Sequence, residues 1–128
     1  MRTVDVKTAG GKLAQTVTVG PHVLPAGEAT TDGGDDSGPS PHEYLLAALG
    51  TCTSMTLELY AARKAWDLQR VHVHLTGHQE ADGFVIERTL HFEGGLSEEQ
   101  RGRLAEIADK CPIARVLRGK TDIRTILV

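Results

Sequence analysis

Aromatic residues are scarce in this chain of 128 residues, only 4% of the total, so its core must rest on Leu, Val, Ile and Ala. Long apolar runs are missing too. The longest, Tyr44 to Leu49, falls far short of the roughly 20 residues a membrane span needs, so no membrane partner is expected. The opening residues MRTVDVKTAG hold neither an apolar stretch nor a small-residue cleavage pattern. That reads as a protein without a signal peptide and predicts a cytoplasmic location. No block of one charge stands out: 14 basic residues face 17 acidic ones, for a net charge of -3. The electrostatic footprint of a nucleic-acid binder is therefore absent. The Gly/Asp/Ser/Pro-rich segment 26–41 lacks the lysine and spacing of a phosphate-binding loop. No paired-carboxylate or Ser-His-Asp pattern is present. There are only two cysteines, Cys52 and Cys111. In the cytoplasm such a pair points to a transient, catalytic or sensing disulfide rather than a permanent staple.

What is present reads as a single α+β domain over 1–128. Val4 and Val6 alternate with polar residues, Gly10-Gly11 marks a turn, and Val17 and Val19 continue the alternation, so 2–19 is an expected hairpin. A short strand around His22–Leu24 is expected as a third. Ser40, Pro41 and Glu43 then fit the N-cap, first and third positions of a helix, with Ser-x-x-Glu as a capping box. This helix is expected to run to about Ala65. Its first half is apolar nearly all round, which asks for cover from a second subunit. Val71, Val73 and Leu75 alternate with polar residues, Ala81-Asp82-Gly83 turns, and Phe84, Ile86, Leu90 and Phe92 alternate again. A second hairpin over 71–92 follows, in which Arg88 is the one exception to the apolar row. Ser97 and Gln100 form another capping box, Pro112 breaks or restarts the second helix, and Gly119 suits a C-terminal cap. Residues Ile123 to Val128 read as a last strand. The order predicts antiparallel or mixed sheets around a long helix.

Cys52 falls mid-helix, with Leu45, Ala48, Leu49, Met55 and Leu59 on or near its face. A packed core thiol explains one such cysteine. Cys111 shifts the balance, because it too ends an apolar helix face and stands at a helix start before Pro112. There free N–H groups favour a thiolate, with Arg115 one turn on. Two cysteines that can meet support a peroxidase cycle, in which one becomes a sulfenic acid, the second closes a disulfide, and an external thiol or dithiol reductant reopens it. The substrate would be a small-molecule hydroperoxide in an apolar pocket, with no cofactor. Glu43, nine residues before Cys52, lies about 900° round and about 13 Å along the same helix, so it cannot touch that thiol in its own chain.

The run GPSPHEYLLAALGTCTSMTLELYA, with KCPIARVL some sixty residues on, resembles the OsmC/Ohr family, the osmotically inducible and organic hydroperoxide resistance proteins. The resemblance implies an intertwined OsmC-like α+β homodimer with central long helices and active sites at the subunit interface. It implies Cys52 as the peroxidatic and Cys111 as the resolving cysteine. It also implies help from an Arg–Glu pair, which makes Glu43 a catalytic candidate beside its capping role. Leu49, Met55 and His22 are the candidate substrate-binding residues. The chain departs from the pattern in three places. His42 follows Pro41 where the family has glutamate. The only arginine before Cys52 is Arg2, with His22 as the nearest other cation in the connecting region. Ala114 stands where related sequences often have histidine. Two rivals stay open. One is a non-catalytic OsmC-like module binding an apolar ligand at the dimer interface. The other is a metal site on His72, His74 and His91, which share a predicted strand face.

Overall fold

A computed structural model describes all residues, 1–128. The chain divides into two compact units, 1–45 and 46–128, with the boundary inside the long helix.

The first unit holds an antiparallel meander of β1 (Asp5–Thr8), β2 (Gln15–Val19) and β3 (His22–Ala26). Gly20 takes a left-handed φ of 55° in the tight β2–β3 turn, a conformation that costs other residues energy. The expected hairpin and third strand are both present. The segment after β3 is a loop containing one 3₁₀ turn, Thr30–Asp32. It folds back on the meander: the Gly27 N–H donates to Pro39 O, and the Tyr44 hydroxyl donates to Pro25 O. The long helix α1 (Pro41–Lys64) starts where the capping box places it. The Glu43 N–H donates to Ser40 Oγ at 3.2 Å, and the Ser40 N–H donates to Glu43 Oε1 at 2.8 Å.

The second unit is built on the hairpin of β4 (Arg70–Glu80) and β5 (Gly83–Glu93). Its register pairs Val71 with Phe92, Val73 with Leu90, Leu75 with Arg88 and Gly77 with Ile86. Residues opposite each other share a face, so these eight form one row, and Arg88 stands among apolar neighbours. The body of α1 lies against this row. A Cβ on Gly50 would come within 2.8 Å of Leu75 Cδ1, which shows how closely the helix backbone approaches the sheet. Helix α2 (Glu98–Ala108) opens with the Ser97–Gln100 capping box, and α3 (Pro112–Arg118) follows it. Leu57 and Leu104, both fully buried, centre the main core with Ala61, Phe92, Ile107 and Ala108. A second cluster joins Leu49, Cys111 and Ala114, with Cys52, Leu75, Ile86 and Ile113 packed on it.

One expectation needs correction. Residues 123–128 form no strand; their backbone finds no sheet partner within the chain, and Ile123, Ile126, Leu127 and Val128 are exposed. The sheets are antiparallel, one of the two expected arrangements. Gly119 caps α3 as expected, with its N–H donating to Arg115 O. Helix α1 also bears on the membrane question, since at 24 residues it is long and apolar enough to cross a bilayer by length and composition. Its Leu49, Gly50, Thr53, Leu57 and Ala61 are nonetheless buried.

Candidate active site

The inward line of α1 runs through Leu49, Thr53, Leu57 and Ala61, about 100° round from the face centred on Cys52. Cys52 therefore sits at the edge of that line, half-buried, while Met55 and Leu59 point outward, 60% and 59% exposed. The all-round apolar character of the helix hides this facing in the sequence. Cys111 is fully buried and serves as the N-cap of α3, where Pro112 restarts the helix. Its sulfur accepts a hydrogen bond from the Ala114 N–H at 3.4 Å and lies 3.8 Å from Thr53 Oγ1. Cys52 packs against the cluster that holds this sulfur. Both cysteines are free.

Arg88 reaches into this centre from β5 with only 13% of its side chain exposed. One terminal nitrogen donates to Thr53 Oγ1 at 3.0 Å and to Ala108 O at 3.2 Å; the other donates to Asp109 Oδ1 at 2.9 Å. Ala108 O is one of the last carbonyls of α2, which the helix itself leaves without a partner. A buried guanidinium is costly unless paired, and these three acceptors meet that need. Arg118 donates to the same Asp109 carboxylate at 3.2 Å, so one carboxylate serves two cations.

These surroundings set the charge on Cys111. Burial is the largest single influence and pushes its thiol pKa up. The Ala114 N–H, the Thr53 hydroxyl, the Cys52 thiol and the Arg88 charge together outweigh it, and the pKa falls below its ordinary 9.0. A cavity of about 390 Å³ opens beside the pair. Leu49, Phe84, Ile86, Ala114 and Leu117 give it apolar wall, and Arg88, Arg118 and Asp109 give it two positive charges and one negative. Leu49 and Ala114 belong to both the cavity and the cysteine cluster, so the two adjoin.

Of the expected site residues, Cys52, Cys111 and Leu49 come together. Met55 is not among the cavity's lining residues. Glu43 and His22 belong to the first unit, where Glu43 is engaged by Ser40 and His22 is exposed on β3. Hydrogen bonds from the Ser40 backbone and hydroxyl hold the Glu43 carboxyl below its ordinary pKa. His72 and His91 are cross-strand partners, exposed like His74, and no three potential ligands gather to hold a metal. Thr53, Arg88 and Asp109 were not among the expected site residues. Arg88 left one trace, the single charge in an otherwise apolar strand row. Thr53 left none, because a threonine at helical spacing looks like any other.

The family model described as OsmC-like protein matches residues 34–126. No curated protein matches. Among solved structures, an OsmC-like protein from Mycoplasma pneumoniae superposes with a TM-score of 0.76 at 18% identity, covering 92% of this chain and 89% of its own. The organic hydroperoxide resistance protein OhrB of Bacillus subtilis gives a TM-score of 0.63 at 22% identity, covering 94% and 93%. An organic hydroperoxide resistance protein from Legionella pneumophila gives 0.66 at 21% identity, covering 91% and 90%.

Proposed function

This chain belongs to the OsmC-like protein family, and from that premise we propose that it is a thiol-dependent peroxidase for organic hydroperoxides, in which Cys52 attacks and Cys111 resolves. One observation carries the reading: the only two cysteines, both free, pack in one cluster that adjoins a cavity lined by apolar and charged residues. Exposure favours the assignment of roles, since Cys52 is half-buried and Cys111 fully buried, so a peroxide meets Cys52 first.

Cys52 loses its proton to solvent, with Cys111 beside it as the thiol. The Cys52 thiolate attacks the terminal peroxide oxygen. The O–O bond breaks, Cys52 becomes a sulfenic acid, and the alkoxide leaves. It takes the proton from Cys111 and departs as the alcohol. The Cys111 thiolate so formed attacks the Cys52 sulfur and expels hydroxide, closing the disulfide. Two equivalents of an external thiol, or one dithiol, then reduce the disulfide by exchange. Electrons pass from the reductant through sulfur to the peroxide, and the cycle balances without metal or organic cofactor. Hydrogen peroxide fits the same chemistry with water as the leaving product.

The rest of the reading is a cytoplasmic homodimer. Leu45, Met55 and Leu59 leave an apolar outer face on α1, and the tail 123–128 is apolar and unpaired. An eleven-residue two-stranded hairpin is also a small sheet to stand alone. A second copy of the chain supplies cover for such surfaces.

Thiol titration with intact mass, before and after one equivalent of cumene hydroperoxide, tests the reading. Wild type is expected to lose both thiols to an intramolecular disulfide, Cys111→Ser to stall at the sulfenic acid or over-oxidise, and Cys52→Ser to stay reduced. Survival of both thiols in excess peroxide sinks the enzyme and leaves the cavity as a non-catalytic ligand site.

A further inference from the structure

We propose that Arg88 is the positioning cation of the cysteine pair: acting through the Thr53 hydroxyl, it stabilises Cys111 as the thiolate that attacks the oxidised Cys52 and closes the disulfide. The proposal rests on the cysteine-pair reading above and adds the residue that readies the resolving sulfur.

Its place in the fold is the first argument. Arg88 stands opposite Leu75, between the pairs Val73–Leu90 and Gly77–Ile86, and an aliphatic residue there would avoid the cost of burying a charge. The second is its geometry. The bonds to Ala108 O and Asp109 pin the guanidinium, and the same nitrogen that bonds Ala108 O also donates to Thr53. The third is the threonine. Its hydroxyl has one proton, which it donates to Leu49 O at 2.7 Å, while its oxygen accepts from Arg88. An accepted charged hydrogen bond polarises the hydroxyl toward donation. When Cys111 is a thiolate, that proton can swing to its sulfur, 3.8 Å away, while Arg88 keeps the oxygen in place.

The charged and titratable groups near Cys111 come from several elements: Cys52 from α1, Arg88 from β5, Asp109 from the α2–α3 junction, and Arg118 from α3 by way of Asp109, with Lys110 just before the cysteine and Arg115 one turn on along α3. Since Asp109 divides its charge between two arginines, the field left at the sulfur is positive.

The test reads the thiolate of Cys111 by its absorbance near 240 nm against pH, in a Cys52→Ser background and without peroxide. Arg88→Met is expected to raise the midpoint by about one pH unit, roughly tenfold less thiolate below it. Arg88→Lys is expected to restore most of the shift. Thr53→Val is expected to raise the midpoint while leaving the bonds to Ala108 and Asp109 in place, which a purely structural arginine would not do. An unmoved midpoint in folded Arg88→Met, or in Thr53→Val, overturns the proposal; should Arg88→Met fail to fold, Thr53→Val decides alone. No peroxide enters this measurement, so a protein inert to hydroperoxide can still show the shift. Conversely, an active peroxidase with an unmoved midpoint removes Arg88 and leaves the cysteine pair.

Discussion

Oxidation should make this protein more stable, by an amount that follows from where the two cysteines fall. A Cys52–Cys111 disulfide closes a loop of about 60 residues, nearly half of the chain. The chain-entropy relation gives about 4 kcal/mol for a loop of that length at 25 °C, through restriction of the unfolded chain. Two effects reduce it. Closing the bond takes the Cys111 sulfur out of its polar contact with Thr53. A disulfide that must be reduced again in each cycle also cannot be held too firmly. The expected gain is therefore about 2–4 kcal/mol. At a urea m-value of about 2 kcal/mol/M, the unfolding midpoint should rise by about 1–2 M. The assay is urea unfolding of the reduced protein and of the protein oxidised with one equivalent of hydroperoxide, with a non-reducing gel to establish that the bond lies within one chain. A midpoint that does not rise, or a bond found only between chains, would refute the claim that the two sulfurs meet within one native fold.

Other outcomes follow from the same structure. Leu104→Ala, which empties a fully buried site in the main core, should cost about 2–5 kcal/mol in urea unfolding. Ser40→Ala removes the cap of α1 and should cost about 1 kcal/mol near neutral pH. The Glu43 carboxyl is depressed in the folded protein. Its contribution is thus present above the ordinary value of 4.5 and lost as pH falls through the lower folded value, so the wild-type advantage over Ser40→Ala should narrow in acid. Leu59→Glu places a charge on the exposed apolar face of α1 and should convert a dimer to monomer in sedimentation; an unchanged mass would move the subunit interface elsewhere.

The sequence by itself determined the local elements. Ser40, Pro41 and Glu43 start α1 because capping is a contest among neighbours, and Ser97 with Gln100 starts α2 for the same reason. Strict alternation over β4 and β5 named their inward faces, since side-chain period in a strand needs no further information. Sequence also marked the two cysteines and the residues around them that resemble the family. The facing of α1 was a matter for the tertiary structure. A helix apolar all round offers several possible inward lines, and packing on the sheet chose the one through Thr53, leaving Cys52 at its edge and Met55 outside. The fate of 123–128 had the same character, because alternation makes a strand only where another edge is available to pair. The network from Arg88 through Thr53 to Cys111 joins residues 35 and 58 positions apart, and only the folded sheet, helix and α2–α3 junction bring their atoms within reach. Chemistry was legible where it depended on residue type; where it depended on hydrogen bonds between distant segments, it required the fold.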